Sequence, residues 1–267
     1  MKRISRFLGV FLCLAVIISV SVFAGGRTID TTTADEGFFT VSYAASANHK
    51  MKVGVAFGGK TTYYNYTPGT ESSYSFNHGA GCYQIMLYSN VSGTSYRLVT
   101  KTTVTVSEVD KMAKYLVSTA EVTFAEDDAV GMKAAQLCEG LETAEEKIVA
   151  IHNYIASTFT YDYTFAAGVR NGSITNYTPD TAHLLEAQKG VCYDFSSLFA
   201  AMCRSQGIPC AVAKGYTTGG YHAWNMIYLN DAWIPVDLTV SIAYGLADSD
   251  AIADFTMSMN RYYSYTY

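Results

Sequence analysis

Three side chains in the second half of the chain have the types needed for nucleophilic acyl chemistry: Cys192, His222 and Asp237. Cys192 follows Gly190 and Val191 and precedes an apolar helical pattern, so it lies at the predicted start of a helix. Free N–H groups and partial positive charge at a helix N-terminus favour a thiolate and can bind an oxyanion. The alternative is that Cys192 is a small buried hydrophobe, the usual role of a lone cysteine.

The spacing of His222 and Asp237 predicts that an imidazole and a carboxylate share one face of a β-hairpin. If Asn230 and Asp231 are the two turn residues, His222 lies opposite Thr239 and Asp237 is its diagonal neighbour. Such a carboxylate accepts a hydrogen bond from one imidazole nitrogen and leaves the other facing the thiol. The prediction depends on parity, because an odd-length turn would place Asp237 on the opposite face. Taken singly, each residue is equally well interpreted as a surface residue.

The elements that position these residues are predicted from capping residues and helical periodicity. Four helices are expected, over about 127–141, 143–155, 181–189 and 191–207. Extended segments follow at about 208–216, 222–229 and 233–240. Helices followed by an antiparallel sheet predict an α+β domain over 125–267.

The segment 37–124 is predicted to be a separate antiparallel β domain, most similar to a sandwich. Short alternating runs of Tyr, Thr and Val are separated by glycine-containing turns. Residues 25–36 are interpreted as a linker. Tyr63, Tyr64 and Tyr66 form an aromatic cluster, which is either strand packing or a surface for a cell-wall or cell-surface polymer.

The first 24 residues are predicted to be a signal peptide. A basic start precedes an apolar stretch over 7–22, and Val22-Phe23-Ala24 resembles a small-residue cleavage site. The protein is therefore expected to be secreted or held at the cell surface. The alternative is an uncleaved anchor, since the stretch is nearly long enough to span a bilayer. With Cys13 in the leader, an odd number of cysteines remains, so at least one mature thiol has no intramolecular partner.

Composition excludes other classes of function. Hydrophobic residues make up 49% of the 267 residues and charged residues 15%, which is typical of an ordered globular protein. Acidic residues number 23 against 18 basic ones, and no basic patch is suited to phosphates, so nucleic acid is not an expected partner. No C-x-x-C pair indicates a zinc site.

Several motifs around these residues resemble the core of the transglutaminase-like superfamily, in its secreted bacterial type. The motifs are Gly190-Val191-Cys192-Tyr193-Asp194, Gly207-Ile208-Pro209, His222-Ala223-Trp224-Asn225 and Trp233-Ile234-Pro235-Val236-Asp237. The resemblance covers about 125–239. It implies a papain-like fold with a Cys–His–Asp triad, in which Cys192, His222 and Asp237 match position for position. The chain departs at Leu238, where many relatives have proline, and this leaves the carboxylate in place.

The resemblance implies thiol acyl chemistry on a protein or peptide amide, with no metal and no organic cofactor. The N–H of Cys192 is one expected oxyanion donor, and the side-chain donor is sought among Tyr161, Gln188 and Tyr177. Tyr161 is preferred because it falls at a family motif position, although a core aromatic is the alternative. Trp224 follows His222 closely enough to form a wall of the acyl pocket.

Three functions remain open at the level of sequence. Hydrolysis by a thiol peptidase or amidase is favoured. The first alternative is a protein-crosslinking transglutaminase, because pocket shape and water access choose the acyl acceptor. The second is a non-catalytic cell-surface binding module with a vestigial core, against which the complete set of Cys192, His222 and Asp237 argues.

Overall fold

The computed structural model describes residues 28–46, 49–107, 112–175 and 177–245, together with the backbone of Tyr262–Thr266. The predicted signal peptide over 1–24, including Cys13, lies outside the described residues. Within the described part of the chain, no helix has both the length and the apolar character needed to cross a bilayer.

The N-terminal half is antiparallel β structure, as its alternating patterns predict. Its strands are β1 Ile29–Asp30, β2 Phe38–Ser42, β3 Met51–Phe57, β4 Lys60–Tyr66, β5 Glu71–Ser75, β6 Gly81–Ser92 and β7 Ser95–Val106. They form two sheets, of order β1-β2-β5 and β4-β3-β6-β7. Both sheets contribute to one core, in which Phe39 and Val41 of the first meet Val53, Ile85 and Leu87 of the second, all fully buried.

The segment predicted to be a linker is part of this β structure where it is described. Ile29 and Asp30 pair with β2, and Ala34–Glu36 form a 3₁₀ helix. Ile29 and Ala34 are both buried in the β core. The linker prediction is therefore corrected over 28–36, because these residues make ladder hydrogen bonds and bury apolar side chains.

The C-terminal half combines helices with a four-stranded antiparallel sheet, which confirms the α+β prediction. Its helices are α1 Ala129–Leu137, α2 Ala144–Thr158, α3 Tyr163–Arg170, α4 Thr181–Ala187, α5 Cys192–Ser205 and α6 Leu238–Tyr244. Its strands are β8 Thr160–Tyr161, β9 Lys189–Gly190, β10 Cys210–Thr217, β11 Gly220–Leu229, β12 Ala232–Val236 and β13 Tyr262–Thr266. The large sheet has the order β12-β11-β10-β13, while β8 and β9 form a short parallel pair.

Helix α5 is the centre of this half. Phe195, Leu198, Phe199 and Met202 recur at helical spacing and are all fully buried, so the helix is enclosed by α1, α2 and the sheet. Asn225 of β11 adds a polar connection, because its Nδ2 donates to the Ser196 carbonyl of α5 at 2.9 Å. The N-terminus of α5 is consequently held at a fixed place beside β11.

Capping residues explain where the helices begin. Thr143 Oγ1 accepts from Glu146 N at 3.2 Å, and the Glu146 carboxylate accepts from Thr143 N at 2.9 Å, so the two residues form a capping box at the predicted start of the helix over 143–155. Asp128 accepts from Gly131 N at 2.8 Å and Asp180 from His183 N at 3.0 Å. These caps satisfy N–H groups that the first helical turn leaves without partners.

Two helices were not predicted from the sequence, and both begin at an aspartate that follows a strand. Asp162 caps α3 by accepting from Phe165 N at 2.9 Å. Asp237 caps α6 in the same way, so the strand predicted over 233–240 ends at Val236. The predicted helix over 127–141 is also shorter than expected, since α1 ends at Leu137.

The segment before α1 packs against the C-terminal half. Tyr115 lies in the 3₁₀ helix Ala113–Tyr115 and is buried with Ala211, Ala213, Trp224 and Met226 of the large sheet. Ala120 N donates to the Ser73 carbonyl of β5 at 2.9 Å, which connects the same segment to the β half. Residues 112–124 therefore contact both halves of the molecule.

Candidate active site

Cys192 is the first residue of α5 and is half-buried. The Asp194 carboxylate accepts from Val191 N at 2.9 Å, which satisfies the N–H group just before the helix. Because helix geometry gives the next N–H groups no intrahelical partner, they point towards the space around the thiol. The other described cysteines are also free: Cys82 is exposed, while Cys138, Cys203 and Cys210 are buried.

Gly190 lets the chain approach α5 closely enough to place Cys192. A Cβ at this position would lie 2.8 Å from both Asp194 Oδ2 and Leu184 Cδ1, and both atoms belong to buried side chains. The parallel pairing of Gly190 with Tyr161 brings Tyr161 within two residues of Cys192 across the strands. Position 190 thus requires glycine, because Asp194 and Leu184 leave no room for a Cβ atom.

Gly190→Ala is expected to lower the free energy of unfolding by about 1–3 kcal/mol, since overpacking a tight site forces neighbours to move. Chemical denaturation monitored by circular dichroism measures this change. Gly219→Ala is the matched control for stability, because a Cβ there would meet only Thr217 Oγ1 at 3.6 Å. Equal stability of the two variants would contradict the close-packing argument.

His222 and Asp237 are in direct contact. The His222 Nε2 atom lies 2.9 Å from Asp237 Oδ2, and the two side chains are 14% and 4% exposed. The second carboxylate oxygen, Oδ1, accepts from Thr239 N at 3.1 Å and Val240 N at 3.3 Å. Asp237 therefore caps α6 with one oxygen and holds the imidazole with the other.

The predicted two-residue turn of the hairpin is confirmed, but the predicted length of its strand pairing is wrong. Leu229 pairs with Ala232, and Asn230 and Asp231 adopt the positive φ angles of 51° and 61° that a two-residue turn of this kind requires. The ladder, however, ends at the pair Asn225 with Val236, so His222 has no partner opposite it on β12. Asp237 reaches His222 from the N-cap of α6 and not as a diagonal strand neighbour.

The pKa of His222 shows which effect dominates around the imidazole. Burial lowers the pKa, but hydrogen bonds to Asp237 and Cys192 and the charges of both groups outweigh it and raise the pKa to about 10. The environment of His222 thus favours the imidazolium form near neutral pH. An imidazolium beside a thiol is the arrangement that stabilises a thiolate.

Cys192, His222 and Asp237 line one cleft of about 750 Å³. Its wall is rich in tyrosine, with contributions from Tyr161, Tyr163, Tyr177, Tyr193 and Tyr221. The tip of the β10–β11 hairpin, at 217–219, borders the same cleft. The three residues chosen from the sequence are therefore brought together in one concave site.

The remaining predicted residues occupy different positions. Tyr161 and Tyr177 line the cleft. Burial, followed by the charge of Cys192, raises the pKa of Tyr161, so its hydroxyl keeps its proton near Cys192. Gln188 lies outside the lining, and its carbonyl accepts from Thr160 N at 2.9 Å. The role expected for Trp224 is corrected, because its fully buried ring lies parallel to His222 at 6.2 Å and packs in the core behind it.

Sequence reasoning missed part of the lining. Tyr163 and Arg170 lie on α3, which was not predicted, and Lys214 lies on β10. The aspartate at 162, a residue type favoured at the N-cap, is the signal that could have revealed α3. Among the described residues, no group of three or more His, Cys, Asp or Glu side chains is arranged to hold a metal ion.

The family match falls in the part of the chain that contains the candidate site. Residues 131–238 match the family model of the transglutaminase-like superfamily. The chain is 30% identical over 145 residues to the kyphoscoliosis peptidase of Homo sapiens, which covers 50% of this chain and 21% of that protein. It is 35% identical over 96 residues to the kyphoscoliosis peptidase of Mus musculus, covering 32% and 14%. The chain thus spans about a fifth or less of the length of these relatives.

The solved structures to which the chain is similar include the red sea bream transglutaminase, at 12% identity and a TM-score of 0.33, covering 76% of this chain and 48% of that one. A TGase structure matches at 25% identity and a TM-score of 0.36, covering 43% and 31%. The residues matched by the family model include Cys192, His222 and Asp237. The part of the chain that is similar to the transglutaminase-like superfamily is therefore residues 131–238.

Proposed function

We propose that this protein is an exported thiol acyl-transfer enzyme that acts on protein or peptide amides, with hydrolysis as its main reaction. In this proposal Cys192 is the nucleophile, His222 the acid and base, and Asp237 the residue that orients His222. The observation that carries it is the 2.9 Å contact between His222 and Asp237 in the cleft that Cys192 lines at the start of α5.

The proposed reaction begins when the Cys192 thiolate attacks the amide carbonyl carbon. The carbonyl oxygen takes up the negative charge and is bound by the N–H of Cys192 and the hydroxyl of Tyr161. Because His222 Nε2 is engaged by Asp237, the Nδ1–H donates its proton to the leaving amine as the C–N bond breaks. Water then attacks the thioester and gives its proton to His222, and the acid leaves as the thiolate is restored.

Support for hydrolysis over cross-linking comes from two of the curated relatives, which are named as peptidases. The alternative of a transglutaminase uses the same thioester and replaces water with a primary amine. A non-catalytic binding module at the cell surface is the second alternative. The raised pKa of His222, which lies beside the half-buried Cys192 thiol, favours an active site over a binding module.

The purified mature protein is to be incubated with denatured casein and with a glutamine-containing peptide, with and without a fluorescent primary amine. Hydrolysis is expected to release new amino groups or ammonia, and Cys192→Ala is expected to reduce this release to background. Cys82→Ala is the matched control, because Cys82 is an exposed thiol of the β half and should leave activity unchanged. Incorporation of the amine at the expense of hydrolysis would favour the cross-linking alternative.

A further inference from the structure

Glu121, Tyr193 and Lys214 form a hydrogen-bonded cluster at the wall of the cleft, here called the Glu121 clamp. Glu121 Oε1 accepts from both the Tyr193 hydroxyl and the Lys214 ammonium. The Lys214 Nζ atom also donates to Tyr193 Oη at 2.8 Å and lies 4.1 Å from the centroid of the Tyr193 ring. The Glu121 and Lys214 side chains are each 25% exposed, so each contact is partly shielded from water.

The clamp joins the two elements that carry the candidate nucleophile and its base. Tyr193 directly follows Cys192 in the first turn of α5. Lys214 of β10 pairs with Ala223, and the next pair along the ladder is Gly215 with His222. One carboxylate therefore connects the residue next to Cys192 with a strand position next to His222.

Glu121 itself is held in place from the β half. The neighbouring Ala120 N donates to the Ser73 carbonyl at 2.9 Å, and Thr119 and Val122 form an isolated bridge that shapes the turn around Glu121. The Tyr193 hydroxyl is a permanent donor, because burial and the charge of Glu121 raise its pKa well above the usual range. The backbone around Glu121 is thus held by the β half, and the Tyr193 hydroxyl keeps the proton that it donates to Glu121.

We propose that Glu121, Tyr193 and Lys214 are positioning residues that fix the separation of Cys192 and His222, and that the β half supports the active site through Glu121. The inference rests on the proposed function, since it assigns these residues to the thiol–imidazole pair. Asn225 connects β11 to α5 deeper in the core, so we expect the fold to stay intact without the clamp. Only the ends of α5 and β11 at the cleft, which carry Cys192 and His222, would then become less well fixed. Displacements of about 1 Å at reacting groups reduce rates on the order of a hundredfold.

The test compares the rate of alkylation of Cys192 by iodoacetamide at pH 6 in the full mature chain, with Cys82 of the same molecule as internal reference. Tyr193→Phe, Lys214→Met and Glu121→Ala are each expected to slow Cys192 about tenfold or more. Glu121→Gln, which keeps an acceptor, is expected to retain part of the rate. Glu126→Ala, which replaces an exposed glutamate five residues further along the chain, is expected to match the wild type.

The direction of these effects separates positioning from simple electrostatics. Loss of the Lys214 cation and loss of the Glu121 anion would change thiolate reactivity in opposite directions if only charge mattered, whereas positioning predicts a decrease in both. Tyr193→Phe alters no charge and only removes a hydroxyl, so it keeps the test decisive where Glu121→Ala loses its fold. A wild-type Cys192 no faster than Cys82 overturns both proposals. A fast wild type with unaffected or oppositely shifted variants overturns the clamp alone.

Discussion

Alkylation of Cys192 by iodoacetamide is expected to be fast at pH 6 and to slow on the order of a hundredfold when His222 is replaced by alanine. An ordinary cysteine has a pKa of about 8.5, so well under about 1% of it is thiolate at pH 6. The pKa of about 10 that Asp237 and Cys192 give to His222, against the effect of burial, keeps an imidazolium beside the thiol at that pH. Removing this cation removes the main stabilisation of the thiolate.

The pH dependence of the alkylation rate shows whether His222 stabilises the Cys192 thiolate. In the His222→Ala protein the rate should rise with pH as more of the thiol becomes thiolate, and the difference between the two proteins should shrink at alkaline pH. Site-resolved mass spectrometry of the alkylated peptides provides the rate for each cysteine in one sample. Cys82 serves as the exposed reference, and Cys203 and Cys210 as buried ones. A Cys192 rate that follows Cys82 at every pH would contradict the thiolate–imidazolium pair.

Replacement of Asp237 by asparagine is expected to lower kcat about a hundredfold or more and to lower the pKa of His222 from its value of about 10. Asparagine is as good an N-cap as aspartate, so α6 keeps its contacts to Thr239 N and Val240 N while the charge is lost. Asp237→Ala removes both functions and is expected to cost about 1 kcal/mol more in stability. The pair of variants thus separates the orientation of His222 from the capping of α6.

NMR titration of His222 measures this shift directly, and unfolding experiments provide a second check. A histidine whose pKa is raised in the folded state contributes stability that is fully present below about pH 6.5 and is lost as the pH rises through about 10. The difference in unfolding free energy between the wild type and Asp237→Asn should therefore shrink across that interval. An unchanged His222 titration in Asp237→Asn would show that the 2.9 Å contact does not set the charge of the imidazole.

The elements that could be predicted from the sequence are those with local physical causes. The capping box at Thr143 and the positive φ angles of Asn230 and Asp231 depend only on residues within a few positions. The helix that begins at Cys192 follows from its apolar periodicity in the same way. The hairpin turn placed His222 and Asp237 near each other, although the ladder ends at Asn225 and Val236, and the family resemblance joined Cys192 to them.

The strand predicted over 233–240 was too long because residues after Asp237 have an ambiguous local preference. Leu238, Thr239 and Val240 fit an extended strand by composition, and the capping contacts of Asp237 decide for a helix. The Glu121 clamp lay beyond prediction for another reason. Its carboxylate contacts Tyr193 and Lys214, 72 and 93 residues away along the chain, and no periodicity encodes such a contact. Trp224 was misplaced because burial behind a strand and exposure in a cleft are alike in sequence.

The two tasks of the Asp237 carboxylate have a consequence for how the cleft responds to an occupant. Thr239, Val240 and Ala243 of α6 line the cleft, so a peptide bound there would contact the helix whose first turn fixes the carboxylate. Any ligand that shifts α6 also shifts the oxygen that holds His222, and thereby the affinity of His222 for its proton. Because such coupling is reciprocal, ligand affinity must depend on the protonation of His222 to the same degree. Through α6, ligand binding in the cleft and proton binding by His222 are therefore thermodynamically coupled.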